Sequence, residues 1–466
     1  MSGAIPPVAG HGPEQSRWLA VITRIVLLSL VGALLLDDAS GAISAQNAEA
    51  LEDIVVVLPD NVGVGEALRG RGIRASEVAI THRYQSVVNG FAAEVPASVR
   101  QELERIPGAI VSPNLPVESF AQKQVTKEGK RRKKRRRRRG GGSSTTGQVT
   151  PTGALRIAVD QNAQADIDKD GSAGIDVDVA ILDTGIATHP DLTIAGGKDC
   201  SGEDTGNYAD GDGHGTHVAG TAGAIDNTLG SVGVAPGARL YAVKVLDNNG
   251  EGSIADVICG LNWVIKNNEM VENQRIDVVN MSLGAKCETP CDDEALRLVV
   301  DNTLAAGVTV IVAAGNSADD AANYYPARYE EVITVSAFTD FNGRPGGGAP
   351  AACGSGDRDD TFANYSNYGE VVDIMAPGTC IRSTSPGNAY VRLTGTSMAA
   401  PHVSGAAALY IAVNQNATPA DVQAYLTTAG SRPQRSPEGL VNDEDQDNDP
   451  EPVLYIPVGP PVPPVP

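Results

Sequence analysis

The chain has 466 residues, too many for one small core, and its 4% aromatics and 52 glycines suit an α/β protein with many tight turns. Its formal net charge is −21, and from residue 148 onward 16 bases face 43 acids, a net of −27. So acidic a surface argues against nucleic-acid binding by that part, because carboxylate repels phosphate.

In chain order, Arg17 and Arg24 precede the apolar run 25–36, a length that fits an export-signal core and is short for a membrane span. Small residues follow at Ala42 and Ala45, so residues 1–45 are expected to be a signal peptide and the protein secreted and extracellular. An uncleaved anchor is the alternative, since Trp18–Ile22 could lengthen the run. Residues 50–122 predict a small α+β unit. Strand Ile54–Leu58, a helix near Gly65–Arg71, strand-like "HRYQSVVNGFAAEVP", helix Ala97–Ile106 and strand Ala109–Val111 give a βαββαβ-like order with the middle pair as a hairpin. Residues 123–147 form a basic, then Gly/Ser-rich linker, in which positions 123–139 hold 12 of the 36 Lys and Arg against one acid, Glu128. Three readings compete for it: a cleavage site for a basic-specific protease, a spacer and a polyanion-binding tag.

From 148 to 456, apolar runs at Val177–Leu182, Arg239–Val245, Asp277–Ser282, Val308–Ala313 and Val332–Val335 alternate with helices near His214–Ala224, Ser253–Asn267 and Asp293–Ala306. Strands apolar on both faces that alternate with helices predict a mostly parallel sheet covered on both sides. A proline-rich tail closes the chain at 457–466. Six cysteines, all beyond residue 199, suit an oxidising compartment. Cys287 and Cys291 are close enough for a local loop, Cys353–Cys380 is the next pairing, and Cys200–Cys259 follows by elimination.

The stretch "GTSMAAPH" at 395–402 sets Ser397 at a helix start, where a hydroxyl can simply cap. A hydroxyl that attacks carbonyl carbon needs a base, usually histidine. His402 lies five residues on along the same helix, His189 sits before Pro190, and His217 falls a turn inside its helix. That leaves His214, at the mouth of the helix in "DGHGTHVAGTAG". A metal reading of the His214/His217 pair lacks a third ligand nearby. An imidazole base also needs a carboxylate to fix its tautomer. In "VDVAILDTG" the apolar strand runs into Asp183, at the carboxyl edge of the sheet where α/β proteins place their sites. "VTVIVAAGN" likewise ends in Asn316, whose amide can donate to an oxyanion, with the Ser397 backbone N–H as a second donor.

With these residues in hand, "AILDTGI", "GHGTHVAGT", "AAGN" and "GTSMAAPH" resemble the signature blocks of the subtilases, the subtilisin and proteinase K family of serine endopeptidases. The resemblance covers about 148 to 456. It implies a subtilisin-like fold with Ser397 as nucleophile, His214 as base, Asp183 as orienting acid and Asn316 as oxyanion donor. "NMSLG" resembles the family's substrate strand, with Ser282, Leu283 and Gly284 at its core, and "NNGEGS", with Gly252, the opposing edge. A polypeptide substrate would add a strand between them. Tyr324 lies eight residues after Asn316, and the spacing from Asn316 to Pro326 resembles the proteinase K branch more than the subtilisin one, a resemblance that implies a pocket for apolar or aromatic P1 side chains. Residues 50–122 resemble the inhibitory propeptide, an intramolecular partner ending in "VSPNLPVESFAQ"; the arginine-rich linker after it departs from bacterial secreted members. The resemblance further implies a monomer with structural Ca²⁺ and Asp373 as a ligand.

Independently, Asp166, Asp168 and Asp170 fill positions 1, 3 and 5 of an EF-hand-like loop, with Gly171 at position 6 but Val177 at position 12. Asp443, Asp445, Asp447 and Asp449 repeat the alternation; a solvated acidic surface is the other reading of both stretches. Two further functions stand beside a broad endopeptidase: an inactive protease-like scaffold tethered to polyanions, and a processing protease with one partner.

Overall fold

The computed structural model describes residues 49–120 and 147–457, apart from 173, 203–205, 271–274, 288–290, 292, 435, 437–438 and 441–449. The expected signal peptide, nearly all of the linker, most of the proline-rich tail and Asp443, Asp445, Asp447 and Asp449 lie outside the described residues.

In the N-terminal part, β1 (Leu51–Val57), α1 (Val64–Gly70), β2 (Ala79–Tyr84), β3 (Gly90–Pro96), α2 (Ala97–Glu104) and β4 (Ile110–Pro113) follow the expected order. The strands form an antiparallel sheet ordered β2-β3-β1-β4. Alternation decides which face is covered. Ile54, Val56, Phe91, Ala93 and Val95 pack with Leu68, Val99 and Leu103 of the two helices. Val55, Val57, Tyr84 and Ala92 belong instead to the core of the larger part. One face of this sheet therefore rests on its own helices and the other on the rest of the molecule. A short strand, β5 (Pro116–Ser119), follows.

The larger part is built on β6 (Asp178–Asp183), β7 (Ile194–Asp199), β8 (Arg239–Lys244), β9 (Glu251–Ser253), β10 (Ile276–Met281), β11 (Leu283–Lys286), β12 (Thr309–Ala313), β13 (Tyr324–Tyr325), β14 (Ile333–Thr339), β15 (Thr361–Phe362) and β16 (Ile374–Pro377). After these come the hairpin β17 (Ile381–Ser385) and β18 (Ala389–Leu393), then β19 (Ser431–Arg432) and β20 (Val453–Leu454). Strands β16, β14, β12, β10, β6, β8 and β7 are neighbours in that order, all in parallel. Every residue of β6 and β12 is buried, as a sheet covered on both faces requires. The main helices are α3 (Thr152–Arg156), α4 (His214–Gly223), α5 (Ile254–Met270), α6 (Glu294–Ala305), α7 (Thr396–Val413) and α8 (Pro419–Thr427). Helix α7 is almost wholly buried and carries small residues all round, which lets it pass close to the sheet.

Cys200–Cys259, Cys287–Cys291 and Cys353–Cys380 are all bonded, the pairing expected. Among the described residues no helix is long and apolar enough to cross a membrane.

Candidate active site

Strand β6 ends in Asp183 and α4 begins with His214, and the fold brings the two together. The His214 Nδ1 lies 2.8 and 2.9 Å from the two Asp183 carboxylate oxygens. Gly215 makes this approach possible, because a Cβ there would fall 2.2 Å from the Gly185 carbonyl and 3.0 Å from Asp183 Oδ1. Asp183 also accepts from the Thr184 N–H at 2.7 Å. Around the pair, Asp210 accepts from the Thr184 hydroxyl (2.9 Å) and from the backbone N–H of Asp212, Gly213 and Thr216, so the turn before His214 is tied down. Burial alone would lower the His214 pKa. The charge and hydrogen bond of Asp183, joined by Asp212 and Asp210, outweigh it and hold the imidazole above its ordinary value.

Ser397 is buried in the first turn of α7. Its hydroxyl donates to the Ser282 carbonyl at 3.1 Å, and the Ser282 hydroxyl donates back to the Ser397 carbonyl at 3.0 Å. His214 Nε2 is buried with no hydrogen-bond partner. The expected contact between imidazole and hydroxyl is thus not made in this arrangement: the serine is turned toward β11.

Asn316 follows β12. Its Oδ1 accepts from both the N–H and the hydroxyl of Thr396, each at 2.9 Å, which forces the amide nitrogen to face the other way. That nitrogen donates to the Phe120 carbonyl at 2.5 Å. Phe120 directly follows β5, and β5 lies antiparallel between β11 (Leu283↔Ser119, Gly284↔Glu118) and β9 (Val117↔Gly252, Glu118↔Glu251). The Phe120 N–H points at the same Ser282 carbonyl, 3.3 Å away. Its ring is buried, edge-on to Tyr324 with centroids 6.4 Å apart. Gly284 leaves the room, since a Cβ there would come 2.8 Å from the Phe120 Cζ. Ser282, Leu283, Gly284, Gly252 and Tyr324 therefore all border one extended segment of the chain itself. An amide aimed at a carbonyl oxygen, a hydroxyl that shares an acceptor with the same residue's N–H and an imidazole braced by a carboxylate are the groups that acyl transfer uses.

Residues 174–449 match the family model described as the subtilase family. The chain belongs to that family. Subtilisin NAT of Bacillus subtilis subsp. natto is 41% identical over 265 residues, 56% of this chain and 62% of that protein, so this chain spans less than two thirds of that relative's length. Subtilisin of Bacillus pumilus is 41% identical over 56% of this chain and 86% of that protein. Subtilisin DY of Bacillus licheniformis is 38% identical over 61% and 92%. A solved cold adapted subtilisin-like serine proteinase has 31% identity, covers 62% of this chain and 90% of its own, and gives a TM-score of 0.48.

The remaining histidines of this subtilase's core are structural in their contacts. His217 Nε2 bonds the Ile381 carbonyl at 2.9 Å and burial lowers its pKa to about 3; His402 Nδ1 bonds the Met398 carbonyl at 2.8 Å with its pKa lowered to about 4. Among the described residues the aspartates considered for metal binding form no three-donor cluster. Asp168 accepts from the Asp170 N–H, Asp170 from the Ser172 N–H and Asp166 from the Ser172 hydroxyl, so each closes a local turn. Asp373 accepts from the Thr334 N–H and the Gln423 amide, both at 2.8 Å, and burial raises its pKa to about 6. Among the described residues a three-donor cluster forms at Cys287, Cys291 and Asp293, where the two sulfurs are bonded to each other.

Sequence reasoning missed the Ser282 carbonyl, Asp210 and Lys244. The buried Lys244 ammonium donates to the carbonyls of Thr184 and Leu246 at 2.7 and 3.0 Å, and so fixes the loops around Asp183. Asp210, four residues before His214, was the one signal available.

Proposed function

We propose that this chain is a secreted serine endopeptidase made as a zymogen, in which residues 50–120 are the inhibitory propeptide and residues 148–456 the peptidase. Subtilase membership supports the reaction class, and the relatives compared are subtilisins by name. The observation that carries the reading further is the Phe120 carbonyl on the Asn316 amide at the end of a strand flanked on both sides. Phe120 then occupies the acyl side of the bond cut in maturation, and substrates with apolar or aromatic P1 residues would follow the same path.

In this mechanism Ser397 Oγ rotates from the Ser282 carbonyl toward His214 Nε2 and attacks the carbonyl carbon. His214 takes the hydroxyl proton at Nε2, and Asp183 stabilises the imidazolium. The Asn316 amide and the Ser397 N–H hold the oxyanion. The proton passes to the leaving amine, an acyl-enzyme remains on Ser397, and water releases it by the same steps in reverse. The seating of β5 between β9 and β11 fits an enzyme that takes polypeptides as an added strand.

A fluorophosphonate probe should label Ser397 of the processed protein; an unlabelled, correctly folded protein would mean an inactive scaffold. Wild-type protein should show a new N-terminus at the residue after Phe120. Ser397→Ala should stay uncut and lose about a million-fold in turnover, the scale that triad replacements have in a subtilisin. The same fragment from Ser397→Ala would assign the cut to another protease.

Structural Ca²⁺ belongs to this reading through the family, with Asp373 and, separately, the Asp166, Asp168 and Asp170 loop as candidate ligands; among the described residues they form no three-donor cluster, so no ligand set is assigned and no step runs through the ion. A chelator that leaves the unfolding midpoint unmoved would remove calcium from the proposal.

A further inference from the structure

The wall of the pocket that receives Phe120 is itself held in place. Tyr324 is 4% exposed, and a phenol so enclosed needs a partner for its hydroxyl. It donates to Asp319 Oδ2 at 3.3 Å, and the same oxygen accepts from Lys286 Nζ at 2.6 Å. Lys286 stands directly opposite Tyr324 in the β11–β13 register, so the pairing that lines the groove also sets the ammonium 5.9 Å from the Tyr324 ring centroid.

Asp319 has little freedom of its own. Its N–H donates to Asn367 at 3.2 Å, its carbonyl accepts from the Tyr368 N–H at 3.2 Å, and its Oδ1 accepts from the Asp320 N–H at 2.9 Å. The bond and charge of Lys286 hold its carboxyl below the usual range, so it is an acceptor at any working pH. The bridge is partly exposed, with 58% of Lys286 and 29% of Asp319 open, so its worth in stability is small. Its consequence is orientation: the ring cannot swing without breaking a bond to a fixed carboxylate.

We propose that Asp319 is a specificity-determining positioning residue, which with Lys286 fixes the Tyr324 ring as the wall against which an aromatic P1 side chain packs. The inference rests on the endopeptidase reading for its substrate but not for its geometry. In the processed enzyme, Asp319→Ala should lower the ratio of kcat/KM for P1 Phe over P1 Ala peptides roughly 3- to 10-fold, the scale of one hydrogen bond. The change should sit in KM rather than kcat. Asp319→Asn, which keeps an acceptor oxygen for the phenol, should recover most of the ratio. In a Tyr324→Phe background Asp319→Ala should have no further effect on it. An unchanged ratio, or an equal fall in both backgrounds, overturns the proposal.

A second measurement needs no catalysis. In the uncut Ser397→Ala chain, Phe120→Ala should lower the Tm less when Asp319→Ala is also present. Strict additivity of the two losses overturns the clamp, whereas failure of the wild type to hydrolyse any peptide would overturn only the endopeptidase reading.

Discussion

His214 has Asp183 bonded to its Nδ1, and the charges of Asp212 and Asp210 add to that of Asp183 in favouring the protonated ring. A base must be neutral to work, and a pKa raised above 6.5 means that activity is lost as pH falls through that raised value. The acid limb of kcat/KM should therefore be centred above pH 6.5, and Asp183→Asn should move it down while slowing the reaction. A wild-type pH–rate profile centred below 6.5 would contradict this. Asp183, His214, Asn316 and Ser397 each end an apolar strand or open a helix, where a cap or turn residue is equally at home, so it was through their order and the resemblance of their four blocks to the subtilase signatures that they were legible in the sequence. The Ser282 carbonyl was not, since a backbone acceptor leaves no mark on residue type. Nor was Lys244, whose three acceptors, the carbonyls of Thr184 and Leu246 and the Asn248 side chain, come together only in the fold.

At the level of elements, the N-terminal sheet is held by the turn after β2. Asn262 Oδ1, on α5, accepts from the backbone N–H of Gln85, Ser86 and Val87 at 3.0, 2.8 and 3.2 Å. Three donors aimed at one oxygen suit a full negative charge better than an amide. Asn262→Ala should cost the uncut Ser397→Ala chain about 1–3 kcal/mol, because those donors lose their acceptor on a partly buried surface. Asn262→Asp should stabilise it, and thermal unfolding reads both; equal midpoints for all three would refute the contact's role. The five apolar strands expected in the larger part form at their expected places because a strand buried on both faces must be apolar throughout. Strand β7, half exposed and carrying Gly196 and Gly197, gave no such run. The hairpin β17–β18 was likewise unread, for alternation over five residues around a Pro-Gly-Asn turn is a weak signal. Helix α8 carried a readable capping box, Thr418 with Asp421, that went unused.

Over the whole molecule, the disulfide that closes the longest loop should matter most. Cys200–Cys259 spans 59 positions and ties β7 to α5, whereas Cys287–Cys291 spans 4. By loop entropy, replacing the first pair with serine should cost about 4 kcal/mol and the second about half that. Equal losses in denaturant titration would show that chain entropy is not what these bridges restrict. The seating of β5 between β9 and β11 has a consequence for timing. So long as the backbone is continuous, β5 meets the groove between β9 and β11 at an effective concentration on the order of millimolar. On the zymogen reading proposed above, scission after Phe120 would turn that strand into part of a separate molecule, whose return would then depend on how much of it the surroundings contain. On that same reading dilution alone, with no further chemistry, would let the enzyme start work.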